Sequence, residues 1–388
     1  MKRSTDRMIT THVGSLVRPD DLVHMVQARV NGEPHDAAAL TARIKEAVSA
    51  VVKRQADVGL DVINDGEFGK PSFLHYINER LGGFAPGKAR PPGNPFAGSR
   101  EFQSFPEFYQ KTAESGPGPY SRAQHLECVG PITYKGQQQL ENDIDTFKAA
   151  MSGLKVFEGF MPAIAPSNVE AWQTNKYYKT AEEYLYAIAE AMRVEYQAIV
   201  DAGLILQIDD PRLVTHLNRQ PSMSIDDVRK WAQIRVEALN HALRDIPREK
   251  IRFHTCYGIN MGPRIHDMEL KDIVDIMLGI RAGAYSFEAA NPRHEHEWSV
   301  WKTVQLPEGT ILMPGVITQS SMLVEHPDLV AERIVRFASV VGRENVVASA
   351  DCGFGSFAGA DEIHDSIVWA KLASLTEGAR RATKQLWG

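Results

Sequence analysis

The residues best equipped for chemistry lie in Arg252-Phe253-His254-Thr255-Cys256-Tyr257-Gly258. The run reads as a short strand closing at Gly258, and side chains two apart on a strand share a face. His254 and Cys256 therefore project together, and an imidazole beside a thiol is half of a zinc site. Two further ligands stand in matching places. Glu288 closes the run Ala284-Tyr285-Ser286-Phe287-Glu288, and Cys352 closes Val346-Val347-Ala348-Ser349-Ala350-Asp351-Cys352. Two of the chain's 3 cysteines thus end strands, whereas Cys128 does not and reads as structural. The competing reading makes Cys256 and Cys352 ordinary buried thiols and His254 a hydrogen-bonded core histidine.

Two thiolates and a carboxylate around one Zn²⁺ leave the site net negative, which suits thiol activation better than hydrolysis. Zinc deprotonates a coordinating thiol, and a catalytic zinc keeps one position open. Exchange of Glu288 for an incoming thiol would supply that position. The predicted chemistry is alkyl transfer to a zinc-bound thiolate.

Four groups so distant in the chain need a scaffold that gathers strand ends. Strand patterns fall at 8–15, 61–64, 160–167, 204–209, 251–258, 284–288, 310–317 and 346–352, with helical patterns after Pro19 and over 36–59, 181–202, 225–244 and 360–385. Eight strand–helix units predict a (β/α)8 barrel, whose C-terminal mouth collects strand ends at one point. A doubly wound open sheet is the alternative, but its two edges would keep those ends apart. Residues 84–130, rich in Pro, Gly and aromatics (Pro86, Pro91, Pro92, Pro95, Phe102, Phe105, Phe108, Tyr109, Pro117, Pro119), break the rhythm. They read as an insertion after the second strand, a lid or a subunit contact, running into a short hairpin at 126–134.

Composition sets the remaining bounds. A hydrophobic content of 43%, a charged content of 24% and a net charge of −6 are ordinary for a soluble globular chain and point to neither nucleic acid nor an anionic membrane as partner. The start lacks a secretion signal, and no apolar run approaches the ~18 residues of a membrane span. So few cysteines imply a reducing compartment, so the expected location is cytoplasmic. A homo-oligomer stays open.

The quoted runs resemble the cobalamin-independent methionine synthases and their shorter single-barrel relatives over essentially the whole chain. The marks are Thr11-His12-Val13-Gly14-Ser15-Leu16, Asp65-Gly66-Glu67, Gln207-Ile208-Asp209-Asp210-Pro211, His254-Thr255-Cys256, Glu288-Ala289 and Asp351-Cys352-Gly353. The resemblance implies a barrel of the methionine synthase/uroporphyrinogen decarboxylase type spanning 1–388 as a single catalytic domain. It implies one Zn²⁺ on His254, Cys256, Glu288 and Cys352. It also implies an amino-acid carboxylate held at Gly14 and Ser15, and its ammonium at Glu67 and Asp209. Strand-end helix capping is the other reading of those two acids.

Departures from the family accompany these marks. Methionine synthases have two barrels and this chain has one. Their Asp-Ile-His-Ser run corresponds here to Thr318-Gln319-Ser320-Ser321, without histidine. Their folate tryptophan has no clear counterpart, and Trp172 is the nearest candidate for a donor contact. His12 either orients substrate or donates a hydrogen bond in the core. Asn291-Pro292-Arg293-His294-Glu295-His296 should lie at the mouth, so His294, His296 and Asp210 are the candidates for a catalytic acid. Arg212 reads as a structural ion pair or a contact to a substrate anion. The leading functional expectation is methyl transfer from a donor such as a methyl-folate to homocysteine or a similar small thiol, in methionine biosynthesis. The alternatives are epoxide opening of the epoxyalkane:coenzyme M transferase type with Arg18, Arg293 or His296 assisting, a demethylase or C–S lyase, and a non-catalytic zinc-binding barrel.

Overall fold

The computed structural model describes residues 1–88, 97–114, 125–258, 261–360 and 363–388. Its strands, in chain order, are β1 (Ile9–Thr10), β2 (Val62–Ile63), β3 (Leu81–Pro86), β4 (Leu126–Tyr134), β5 (Glu158–Ile164), β6 (Thr174–Asn175), β7 (Ile205–Asp209), β8 (Ile251–Thr255), β9 (Ala284–Phe287), β10 (Ile311–Ile317) and β11 (Val347–Ala350). Eight of them pair side by side in the order β1-β11-β10-β9-β8-β7-β5-β2. Every pairing in that series is parallel. The seam between β1 and β2 is bridged by Asp61 N donating to Thr10 O at 3.2 Å and Thr11 Oγ1 donating to Val62 O at 3.0 Å. This is the (β/α)8 barrel expected from the strand–helix rhythm.

Alternation along the strands sorts the interior into layers. Ile9, Val62, Phe160, Ile205, Ala284, Ile311, Met313 and Val347 form a separate apolar cluster inside the barrel, with Met1 packed against it. The alternate residues Leu206, Ile208, Ile251, Phe253, Tyr285 and Phe287 belong to the larger core beneath the helices. Two residues further along the inward register stand polar groups, Gln207 beside Arg252 on β7 and β8. Another step brings Asp209 opposite His254, and His254 opposite Ser286. Chemistry therefore begins where the apolar plug ends.

Several strands are shorter than their sequence patterns, so the residues of interest stand just past the sheet. Gly14 and Ser15 follow β1, Cys256 follows β8, Glu288 follows β9 and Cys352 follows β11. Side chains take over the hydrogen bonding there. Buried Arg252 donates to Thr11 Oγ1 at 3.0 Å and to His12 O at 2.7 Å, capturing a carbonyl that a longer β1 would use.

The helices begin on ordinary caps. Asp36 accepts from Ala38 N and Ala39 N, Thr180 from Glu183 N, and Ser224 and Asp227 form a capping box. No helix among the described residues is long and apolar enough to cross a membrane.

Within the expected insertion, 126–134 is a single strand and not a hairpin. Its antiparallel partner is β3, and β6 adds in parallel to make a three-stranded sheet outside the barrel. The pairing was hidden because β3 carries Gly82-Gly83 and follows a four-residue helix directly. Helices Arg100–Ser104 and Pro106–Glu114 lie between the two strands, while Pro91, Pro92, Pro95, Pro117 and Pro119 fall outside the described residues. Arg100 Nε donates to Leu217 O at 2.9 Å, Glu101 N to Asn218 Oδ1 at 3.0 Å, and Glu101 Oε1 accepts from Ile265 N at 3.3 Å. The inserted helices thus rest on the helix that follows β7, Arg212–Arg219, and on the loop that follows β8.

One buried carboxylate ties the extra sheet to the barrel. Glu195 accepts from Tyr76 Oη at 2.8 Å, Tyr134 Oη at 2.7 Å and Arg80 at 3.1 Å. Removing one member of such a buried charged group is severe, because the partners keep their desolvation penalty. Glu195→Ala should lower unfolding free energy by about 3–5 kcal/mol, read as a reduced urea midpoint; an unchanged midpoint would show that the group contributes nothing.

Candidate metal centre and substrate pocket

His254, the last inward side chain of β8, meets Cys256 and Cys352 at the barrel mouth. One ligand atom from each lies within 4.8 Å of the others, and all three residues are buried. The two sulfurs are 2.9 Å apart and both cysteines are free, far longer than the ~2.05 Å of a disulfide. His254 Nδ1 is 3.1 Å from Ser286 Oγ, while Nε2 is buried with no hydrogen-bond partner among the described residues. Burial, with Arg252 adding to it, pushes the imidazole down to about 3, so it stays neutral and offers a lone pair. The adjacent Cys256 thiol, burial and the nearby Glu288 push Cys352 well above the usual thiol range. Three soft or borderline donors packed without a counter-charge are the set that a thiophilic divalent cation satisfies.

Glu288 stands one residue past β9, and both its oxygens are occupied within the protein. Oε1 accepts from Tyr257 N at 2.8 Å, and Oε2 accepts from Arg264 and Asn291 Nδ2, each at 2.8 Å. It lies outside the three-residue cluster. Asp351, next to Cys352, accepts from Ala289 N at 2.7 Å and Ala290 N at 2.8 Å and so ties the turn after β11 to the turn after β9. That approach requires Gly315, where a Cβ would lie 2.0 Å from Asp351 Oδ1.

The thiols share a pocket with two acids, one of which, Asp209, is the cross-strand neighbour of His254. His254, Cys256 and Cys352 line it together with Glu67, Asp209, Ser15, Ser356, Phe73, Val13 and Pro211. Glu67 has φ 59°, a left-handed conformation unusual for a residue with a Cβ. Its Oε2 accepts no hydrogen bond among the described residues and lies 3.6 Å from Lys70 Nζ. Asp209 accepts from Gln207 Nε2 at 2.7 Å, and burial together with Glu67 holds it well above the ordinary carboxylate range. The two carboxylates thus line the pocket together, with the Lys70 ammonium as the cation beside them.

The other expected site residues divide between support and wall. His12 spans Gln55 Oε1 at 2.8 Å and Gly14 N at 3.3 Å, and burial pushes it down to about 4. It shapes the turn at Gly14 (φ 137°), where a Cβ would come 2.9 Å from Pro162, and does not line the pocket. Arg18 donates to Gly355 O at 2.6 Å and Glu67 O at 2.7 Å, clamping two mouth loops. Asp210, proposed as an acid, accepts from Asn168 Nδ2 at 2.8 Å and Leu213 N at 3.1 Å. It caps the helix Arg212–Arg219 and is absent from the pocket lining. Arg212 forms no ion pair of the expected kind among the described residues. Trp172 lies 5.1 Å from the His75 ring, His75 5.5 Å from Phe357, and Phe357 5.7 Å from Phe73. An aromatic row therefore leads outward from the pocket.

The dense run after β9 does not supply a pocket acid. His296 is exposed on the 3-10 helix Glu295–Lys302. His294 is locked between Glu297 (2.8 Å) and Asp267 (3.1 Å) and stacks on Tyr257 at 4.0 Å. Sequence reasoning missed Ser286, Asn291, Arg264 and Asp267. The inward register two residues before Glu288 points to Ser286; nothing local marks Arg264 or Asp267.

The chain is thus a (β/α)8 barrel with a buried His/Cys cluster and two acids lining one pocket at its mouth. Residues 8–90 and 147–368 match the family described as the cobalamin-independent synthase catalytic domain, and the chain belongs to that family. It is 23% identical to the methionine synthase of Thermococcus kodakarensis, over 97% of this chain and 94% of that protein. It is 25% identical to the methionine synthase of Saccharolobus islandicus, over 97% and 95%. In fold it resembles a B12-independent methionine synthase from Shewanella sp. W3-18-1 in complex with selenomethionine (TM-score 0.71, 17% identity, 98% of this chain and 99% of that one). A putative vitamin-B12-independent methionine synthase from Listeria monocytogenes is also similar (TM-score 0.66, 19% identity, 98% and 99%).

His294 yields a test of the charge network beside the site. Burial opposes its charge, but hydrogen bonds to Asp267 and Glu297 outweigh that and raise it to about 9, from a usual value near 6.5. Its stabilisation is therefore complete below about pH 6.5 and is lost as pH rises through about 9. Denaturant unfolding of His294→Gln should lack on the order of 3 kcal/mol of the wild-type protein's decline over that window; parallel curves would refute the assignment.

Proposed function

We propose that the protein is a zinc-dependent S-methyltransferase of the methionine synthase type, with homocysteine or a closely similar amino-acid thiol as acceptor. The observation that carries this reading is one pocket lined both by a His/Cys cluster and by two carboxylates. Glu67 and Asp209 bind the ammonium, and the Gly14-Ser15 turn faces the carboxylate, so the substrate sulfur is delivered beside Cys256 and Cys352. His254, Cys256 and Cys352 would hold the ion, with Glu288 as the fourth ligand. Zinc, when bound, supplies the charge that lets a nearby thiol persist as its anion at neutral pH. Phe73, Val13 and Pro211 give the pocket an apolar part, which limits water around the sulfur and preserves its nucleophilicity.

The row Phe73, Phe357, His75 and Trp172 suits a flat donor such as a methyl-folate. Epoxide opening would need an acid and cations facing the pocket. Arg18 is committed to carbonyls, Arg293 donates to Ile265 O at 3.1 Å, and His296 is exposed. The geometry favours the methyl donor.

X-ray absorption of zinc-loaded protein, taken alone and with homocysteine, cysteine, glutathione or coenzyme M, tests the acceptor. Homocysteine should add one sulfur to the metal shell; entry of none of the four would sink the proposal. Trp172→Ala should raise KM for a methyl-folate several-fold, the loss of about 1 kcal/mol of aromatic contact, with kcat little changed. An unaltered KM would remove the aromatic row from the donor site.

A further inference from the structure

Arg264 has no role in the reading so far, yet it joins three loops of the mouth. It lies in the loop after β8, with φ 59° and a side chain 6% exposed. Its guanidinium reaches Glu288 Oε2 after β9 and Asp267 Oδ2, each at 2.8 Å, and lies 3.5 Å from Ser320 Oγ after β10. Ser320 belongs to the run that stands where the family's histidine would be. A left-handed conformation at a non-glycine residue persists only where the surroundings over-determine it. Here the charge pairs and Ser320 do so.

We propose that Arg264 is a positioning residue that holds the Glu288 carboxylate away from the metal, so that an incoming thiol can take its place. The inference rests on Glu288 being the fourth metal ligand, as proposed above. The three cluster donors are collected without Glu288, and Glu288 is completely hydrogen-bonded without them. Its carboxylate therefore has two homes: the cation and the guanidinium. When a thiol enters, the displaced carboxylate would be a buried unpaired charge unless a cation receives it. Arg264 receives it. When Glu288 leaves for the metal, Arg264 keeps Asp267 and is not orphaned. The exchange strands no buried charge in either direction.

The test uses zinc-loaded full-length Arg264→Gln, Arg264→Lys and Glu288→Gln, each checked for the wild-type circular dichroism spectrum. In Arg264→Gln, X-ray absorption should show an oxygen ligand that persists when homocysteine is added. The apparent Kd for homocysteine should rise about tenfold or more, with zinc affinity against a chelator undiminished. Arg264→Lys, which keeps the charge, should recover most of the thiol affinity. Wild-type homocysteine affinity and wild-type loss of oxygen in Arg264→Gln would overturn the inference. If Arg264→Gln fails to fold, the Lys variant decides: normal homocysteine binding supports a charge partner, and binding weakened about tenfold overturns it. A zinc shell and affinity unchanged in Glu288→Gln would instead remove Glu288 from the metal and take the inference with it, leaving thiol entry in the wild-type protein as the separate test of the function.

Discussion

Three buried donors without a counter-charge, His254, Cys256 and Cys352, are the constraint around which the mouth is arranged. Thiols and a neutral imidazole do not attract one another, so the surroundings must hold them together. Ser286 orients the imidazole, Asp351 ties the turn that carries Cys352, and Gly315 admits Asp351. The contacts of Ser286 and Gly315 join neighbouring strands of the barrel, and that of Asp351 reaches past β10 to join the ends of β11 and β9. The barrel's role is to make such contacts unavoidable.

Charges alternate in sign beside that cluster. Glu288, Asp267 and Glu297 alternate with Arg264 and His294 along one chain of contacts. Glu288 and His294 both belong to the β9 segment, while Arg264 and Asp267 come from the loop after β8. The network therefore also sets the spacing of those two loops, and so of the cluster beside them. A histidine charged well above its usual range is explained by this structural duty and needs no catalytic one.

The family match is interrupted at 91–146, the stretch that contains the inserted helices, β4 and most of the helix Gln137–Met151. The interruption does not touch the pocket lining. It does reach the helix after β7 and the loop after β8 through Arg100 and Glu101.

Residue types and the two-residue period of strands sufficed to place His254 and Cys256 together and to require a barrel, because a strand fixes the direction of its side chains from local backbone geometry alone. The same rule put Glu67, Asp209 and Cys352 at strand ends that a barrel gathers. Strand lengths were not legible, since Arg252 ends β1 by taking a carbonyl from across the barrel. Nor were the partners of His294, Asp210 and Glu288 or the exposure of His296, all of which stand outside the strands, where no two-residue period sets direction. Only the tertiary structure decided that His294 is clamped, that His296 faces water and that Arg264 meets Glu288. Those outcomes depend on which loops touch once the barrel has closed, and proximity between loops is a property of the whole fold.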